Sequence, residues 1–270
     1  LNIEAVLMLL PCAVSLVYGD GMLPYFLVTM IICTVIGFMT AHKKPADTVF
    51  YAREGFLTVA LTWVMLSFFG ALPFWFSRQI PSLVDAMFET ISGFTTTGAS
   101  ILSDVEALSP SLLMWRSFTH WVGGMGVLVF VLAILPLAGG GYSMYLMRAE
   151  SPGPSVGKLT PKVKNTAKIL YLIYLVMTVL QMILLLIGGM PLFDSLATSF
   201  GTAGTGGFGI WNDSIAHYNS YYLQGVITVF MILFGVNFNF YYLILKKKYS
   251  FWLYFLHYCN NHRFITSLFN

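Results

Sequence analysis

Two stretches decide the reading: IPSLVDAMFETISGFTTTGAS at residues 80–100 and MPLFDSLATSFGTAGTGGFGI at residues 190–210. Each opens near a proline, Pro81 or Pro191, and places an aspartate, Asp85 or Asp194, within the next few positions. Proline is preorganised for a first helical turn, and a carboxylate there faces the positive end of the helix dipole. An apolar run follows, and it gives way to glycine and threonine. A helix needs about 20 apolar residues to cross a bilayer, so neither stretch is long enough, yet both are too apolar for an ordinary exposed loop. Such a segment is expected to enter and leave a membrane from one side.

Shifting the second stretch by 109 positions pairs Asp85 with Asp194, Thr90 with Ser199, Thr96 with Thr205 and Gly98 with Gly207. The same shift brings the flanking apolar runs into register, which marks an internal repeat of span, short helix, Gly/Thr strand, span.

Composition fixes the solvent. The 270 residues are 57% hydrophobic and only 9% charged, against about 25% charged in soluble domains. Too few charges remain to cover a surface in water, so much of the surface must face lipid. Six apolar runs are long enough to be spans, at about 3–18, 22–41, 55–77, 111–137, 168–189 and 221–245, and a seventh at 249–258 is too short. Continuous apolar runs are the opposite of the alternation a membrane β-barrel requires. The expected fold class is therefore all-α integral membrane, with two re-entrant half-helices. Nothing at the start resembles a cleaved signal, since Glu4 stands where a basic region belongs.

Basic residues set the orientation. Of the 14 Lys and Arg, 12 fall in 42–53, 148–168 and 246–263, and these segments are expected on the cytoplasmic side, with both termini inside. Only Arg78 and Arg116 lie elsewhere; Arg116 is expected to reach the interface or to pair with an outer acid such as Glu106. Seven acids then lie outside: Asp20, Asp85, Glu89, Asp104, Glu106, Asp194 and Asp213. An acidic outer vestibule, with Asp85, Glu89 and Asp194 nearest the short helices, would concentrate cations; acids merely avoiding the cytoplasmic loops would look the same.

The Gly/Thr segments suit cation coordination. A dehydrated cation needs carbonyl oxygens aimed at one axis, and glycine permits the backbone that aims them. Threonine adds a hydroxyl, and the C-terminal ends of short helices turn negative dipole toward the ion. The candidate ligands are the backbone at Thr96, Thr97, Gly98 and Ala99 and at Thr205, Gly206, Gly207 and Phe208. Asn237, polar at membrane depth, is a candidate pore-lining residue or a kink cap.

At these residues the chain resembles the Trk/Ktr potassium-uptake family. FETISGFTTTGAS at 88–100 is similar to its first filter loop and TAGTGGFGI at 202–210 to its second. RSFTHWVGGMGVLVFVLAILPL at 116–137, the run from 148 to 175 and GVNF at 235–238 agree as well. The resemblance implies the front half of a pore built from four span, half-helix, filter, span repeats. Residues 1–41 correspond to an extra helix pair, 53–138 to repeat one, 160–246 to repeat two, and 247–270 to a tail leading toward a third repeat. Two loops do not ring an ion, so two further repeats or a second copy are implied, a longer parent chain being the expected source. The resemblance further implies potassium as the transported ion, no cofactor, a bacterial plasma membrane location, a homodimer, and a cytosolic nucleotide-binding regulatory subunit as partner. Gly98 favours potassium over a sodium-permeable or sodium-coupled variant, because some relatives carry serine at that filter place.

Other signals have plainer readings. Cys12, Cys33 and Cys259 form no CxxC and have no histidine cluster, so no zinc or redox site is indicated. GPSVGKLT at 153–160 lacks the glycine spacing of a Walker motif and has Leu159 at the magnesium-binding position. No nucleic-acid partner is expected. His120, Gly123, Gly124 and Gly126 are read as helix packing, and the six tryptophans as an interfacial belt. An enzyme built on Asp85 with Asp194 or Glu89 lacks any accompanying histidine, serine or metal-ligand set, so no enzymatic activity is expected.

Overall fold

Residues Asn2–Leu7 (α1) and Leu9–Tyr18 (α2) form one apolar helix interrupted by a single turn at Met8, and Gly19 ends it in the left-handed conformation at φ 63°. Its amide bonds back to the Ser15 carbonyl at 2.9 Å, as a glycine C-cap does. The computed structural model describes residues 1–41, 52–126, 163–236, 238, 240 and 241. After α2 come α3 (Leu23–Ala41), α4 (Ala52–Phe76), α5 (Leu83–Phe94), α6 (Pro110–Gly124), α7 (Val163–Ile187), α8 (Leu192–Ala203), a short 3-10 turn (Ser214–His217) and α9 (Tyr221–Gly235). Among the described residues all regular structure is helical. Leu1–Gly235 is one compact unit. In the second, Val236–Asn270, the rings of Phe238 and Phe240 pack on Tyr241.

Three described helices are long and apolar enough to cross a membrane: Leu23–Thr40, Leu57–Phe76 and Lys168–Ile187. Asn2–Tyr18 and Tyr221–Gly235 are shorter apolar helices. Val28, Ile31, Val35, Phe38 and Met39 on α3 and Leu172, Val176, Leu180 and Ile183 on α7 are exposed large hydrophobics. A soluble monomer does not present apolar surface on this scale; lipid accommodates it. The expected spans at 111–137 and 221–245 begin where α6 and α9 begin; residues 127–137, Asn237, Asn239 and 242–245 lie outside the described residues, as does Cys259.

Two helix pairs pack in the same order along the chain. α4 packs on α5 and α7 packs on α8, while α6 lies against α2, α5 and α8 together. Every residue of α6 from Ser111 to Val122 is buried, the mark of a helix enclosed by protein on all sides. This corrects the belt reading for two tryptophans. Trp115 and Trp121 are interior: Trp115 donates to the Gly70 carbonyl of α4 at 2.9 Å and Trp121 to the Thr178 hydroxyl of α7 at 3.1 Å.

The glycines of α6 explain how it fits so tightly. A Cβ on Gly123 would stand 2.2 Å from the Phe94 carbonyl oxygen at the end of α5, and one on Gly124 would stand 3.0 Å from the Ala203 carbonyl oxygen at the end of α8. Close backbone approach is therefore what these glycines provide, as the packing reading expects.

Two repeated loops as the candidate functional site

α5 and α8 are each 12 residues long, about 18 Å at 1.5 Å per residue. Their boundaries coincide under the 109-residue shift, Leu83 with Leu192 and Phe94 with Ala203. Asp85 and Asp194 both fall in the first turn, where the carboxylate meets the helix dipole. Ser82 adds a side-chain cap, accepting the Asp85 amide at 3.3 Å.

Beyond the helices the backbone repeats in detail. Thr96 and Thr205 adopt φ 55° and 59°, and Gly98 and Gly207 adopt φ 76° and 74°. The Thr96 amide bonds to the Gly93 carbonyl at 3.0 Å and the Thr205 amide to the Thr202 carbonyl at 2.8 Å, again equivalent positions. Left-handed backbone costs a non-glycine residue about 1–2 kcal/mol, so both threonines are held there by their surroundings. Strain of this kind concentrates at functional positions.

The loops touch. A Cβ on Gly98 would stand 2.0 Å from the Gly206 carbonyl oxygen, and one on Gly206 would stand 2.7 Å from the Thr96 carbonyl oxygen. On the outgoing side the Ser92 hydroxyl donates to the Ala99 carbonyl at 2.5 Å. Thr97 shares a hydroxyl contact with Thr95 at 2.8 Å. Phe208 is buried, and its ring lies 4.6 Å from that of His120.

His120 has no hydrogen-bond partner on either ring nitrogen although it is fully buried. A Cβ on Gly206 would stand 2.1 Å from its Nε2. The ring therefore forms the floor against which the second loop rests.

Glu89 is buried rather than facing solvent. Its side chain is buried within α5, where one oxygen accepts the Ser100 hydroxyl at 2.9 Å and Arg116 Nε at 2.5 Å, and the other accepts the Ile101 amide at 3.0 Å. Arg116 likewise neither reaches the interface nor pairs with Glu106. It donates to the Gly209 carbonyl at 2.7 Å, and its guanidinium carbon sits 3.7 Å from the centre of the Phe208 ring. Glu106 instead accepts the Asn212 amide at 2.9 Å, and Asn212 also bonds Asp104 at 2.8 Å and the Val105 amide at 2.7 Å.

Asp194 is buried as well. It accepts Trp211 Nε1 at 3.2 Å and a hydrogen bond from the Tyr218 hydroxyl. Burial and that carboxylate push the Tyr218 phenol up to about 12. Of the three acids expected nearest the short helices, only Asp85 is half-exposed. Among the described residues no group of three or more His, Cys, Asp or Glu is placed to hold a metal ion. Nothing in the sequence marks the contacts of Ser92 and Ser100, and His120, expected as helix packing, packs against the second loop. For Arg116 the signal was present, a lone basic residue inside an apolar run.

The sequence matches the TrkH family, described as a cation transport protein, over residues 22–268. It is 39% identical over 245 residues to the Trk system potassium uptake protein TrkH of Salmonella typhimurium, and 34% identical over 245 residues to the Trk system potassium uptake protein TrkG of Escherichia coli. Each alignment covers 89% of this chain and 50% of the relative. The crystal structure of the potassium transporter TrkH from Vibrio parahaemolyticus superposes with a TM-score of 0.76 at 32% identity, over 92% of this chain and 50% of that one. The chain thus spans about half the length of the relatives it matches. The family is one of transporters rather than enzymes, and this chain, an all-α membrane protein, belongs to the TrkH cation transport family.

Proposed function

We propose that the chain is part of a potassium-translocating membrane subunit and supplies two of the four filter segments of its pore. The observation that carries this reading is the repeated loop: left-handed backbone at Thr96 and Gly98, and again at Thr205 and Gly207, directly after two half-length helices. Carbonyls of Thr96, Thr97, Gly98 and Ala99 and of Thr205, Gly206, Gly207 and Phe208 are the ligands that replace the hydration shell of potassium.

In this reading six spans cross the membrane and both short helices re-enter from the outer side. Residues 1–41 form an accessory helix pair, 53–138 and 160–246 the two repeats, and 247–270 the start of a connection onward. Both termini face the cytoplasm of a bacterial cell. Two further repeats, or a second copy, complete the ring; the assembly is a homodimer that docks a cytosolic nucleotide-binding regulatory subunit. Asp85 contributes to an outer cation-attracting mouth. The relatives named as potassium uptake proteins support potassium as the ion.

The test is rubidium uptake in cells lacking their own potassium-uptake systems. The cells express either these 270 residues or the same residues joined to the second half of a relative. Uptake that is abolished by Gly98→Ala or Gly207→Ala supports the proposal. Absence of uptake in both forms, with both present in the membrane, would refute it.

A further inference from the structure

Glu89 and Arg116 have no counterparts under the 109-residue shift. The positions equivalent to Glu89 and Arg116 are Thr198 and Gly225, so the second repeat carries no counterpart of this ion pair at those positions. The pair in the first repeat serves both loops instead. Glu89 accepts hydrogen bonds from Ser100 and Ile101 as the first loop leaves the site, while Arg116 donates to the Gly209 carbonyl and stacks on Phe208 in the second. Both side chains are buried, and they meet at 2.5 Å.

We infer that Glu89 and Arg116 are positioning residues, a single buried ion pair that locks the first coordinating loop to the second and so sets which monovalent cation the pair of loops accepts. The inference rests on the proposed coordinating role of those loops. Two features give it chemical content. The planar guanidinium contacts Glu89 through Nε and Gly209 through a terminal nitrogen, so it fixes direction as well as distance. Lysine cannot reproduce that fork. The pair is also neutral as a unit: a guanidinium alone behind a cation path would repel the ion, and Glu89 cancels it at contact distance. A second hydrogen-bonded link between the same loops, Asn212 with Asp104, Val105 and Glu106, is exposed.

The sign of each charge supplies a test that loss of fold cannot imitate. In the transporting form, Glu89→Gln leaves the guanidinium unbalanced and is expected to raise the apparent KM for rubidium about tenfold or more. Arg116→Gln is expected to leave that KM within about threefold while lowering the rubidium-to-sodium uptake ratio about tenfold, and Arg116→Lys likewise to keep KM near the parent value without restoring the ratio. The double variant should return KM toward the parent value. Equal losses of turnover in all variants, with KM and ratio unchanged, would overturn the inference while leaving the transport reading intact.

A second measurement does not depend on flux. Spin labels at the exposed positions Ser103 and Asp213 report the distance between the loops in the purified 270-residue chain, with Asn212→Ala removing the exposed link. A narrow distance distribution is expected with Glu89 and Arg116 present and a broadened one in either glutamine variant. An unchanged distribution in variants that retain helicity would overturn the inference even if the parent carried no ions.

Discussion

Thr96 and Thr205 lie 109 residues apart and share one left-handed backbone conformation, φ 55° and 59°, each two positions before a glycine that shares another, φ 76° and 74°. Side chains differ along the two loops, but the backbone φ at these two pairs of positions agrees within a few degrees. That is the pattern expected where main-chain oxygens carry the function and side chains only hold them.

Gly98 is accordingly the least replaceable residue of the first loop. An added Cβ meets the Gly206 carbonyl at 2.0 Å on a backbone already at positive φ. Gly98→Ala is expected to cost about 1–3 kcal/mol in stability and to abolish rubidium uptake. Gly98→Ser should weaken selectivity in whatever flux remains. Uptake at parental selectivity in either variant would count against a coordinating backbone at this position.

The buried ion pair predicts a characteristic non-additivity. Removing Arg116 alone, as Arg116→Met, leaves the Glu89 carboxylate buried without its partner and should cost about 3–5 kcal/mol. The double variant Glu89→Gln with Arg116→Met should lose less than the sum of the single changes. Thermal unfolding in detergent measures both, and strict additivity would show that the pair is not coupled.

The close approach of α6 to the half-helices gives a third expectation. Gly123→Ala drives a Cβ to 2.2 Å from the Phe94 carbonyl, and Gly225→Ala meets nothing within 4 Å. Backbone on both sides cannot yield as a flexible side chain would, so Gly123→Ala should lower stability by about 1–3 kcal/mol. Gly225→Ala, within a helix, should be neutral or slightly stabilising. The same melting measurement separates the two.

Acid sensitivity is expected to follow Asp20, which lies between α2 and α3 and reaches a third helix. It accepts hydrogen bonds from the Ser15 hydroxyl at 2.5 Å, the Met22 amide at 3.1 Å and the Ser111 amide in the first turn of α6 at 3.0 Å. Burial alone would push its carboxyl up, but these hydrogen bonds outweigh burial and hold it below the ordinary carboxylate range. A depressed folded value contributes stability above the unfolded value, near 3.8, and loses it as pH falls through the folded value. Asp20→Asn should therefore lower the melting temperature at neutral pH and flatten its decline below about pH 4. Equal pH dependence in variant and parent would contradict this assignment.

Sequence made the local events legible and left most long-range ones hidden. The half-helices could be bounded because proline and aspartate mark their starts and Gly/Thr runs their ends, and the repeat could be registered because its period preserves Asp, Thr and Gly at equivalent positions. The burial of Trp115 and Trp121 was not legible, since tryptophan in an apolar helix suits an interface as readily as a core. Arg116 was visible as an anomaly, but its partner is Glu89, 27 positions away in another helix, and only packing selects Glu89 over Glu106. The capping of α6 by Asp20 joins residues 91 positions apart and leaves no periodic trace.

In the proposed function the two loops present main-chain oxygens to a monovalent cation. Anomalous diffraction from crystals grown in thallium or rubidium, using the chain completed by two further repeats or by a second copy, tests it most directly. Peaks lying against the carbonyls of Thr96–Ala99 and Thr205–Phe208 are the predicted result. Strong cation peaks elsewhere in the protein, with none beside these carbonyls, would contradict the account.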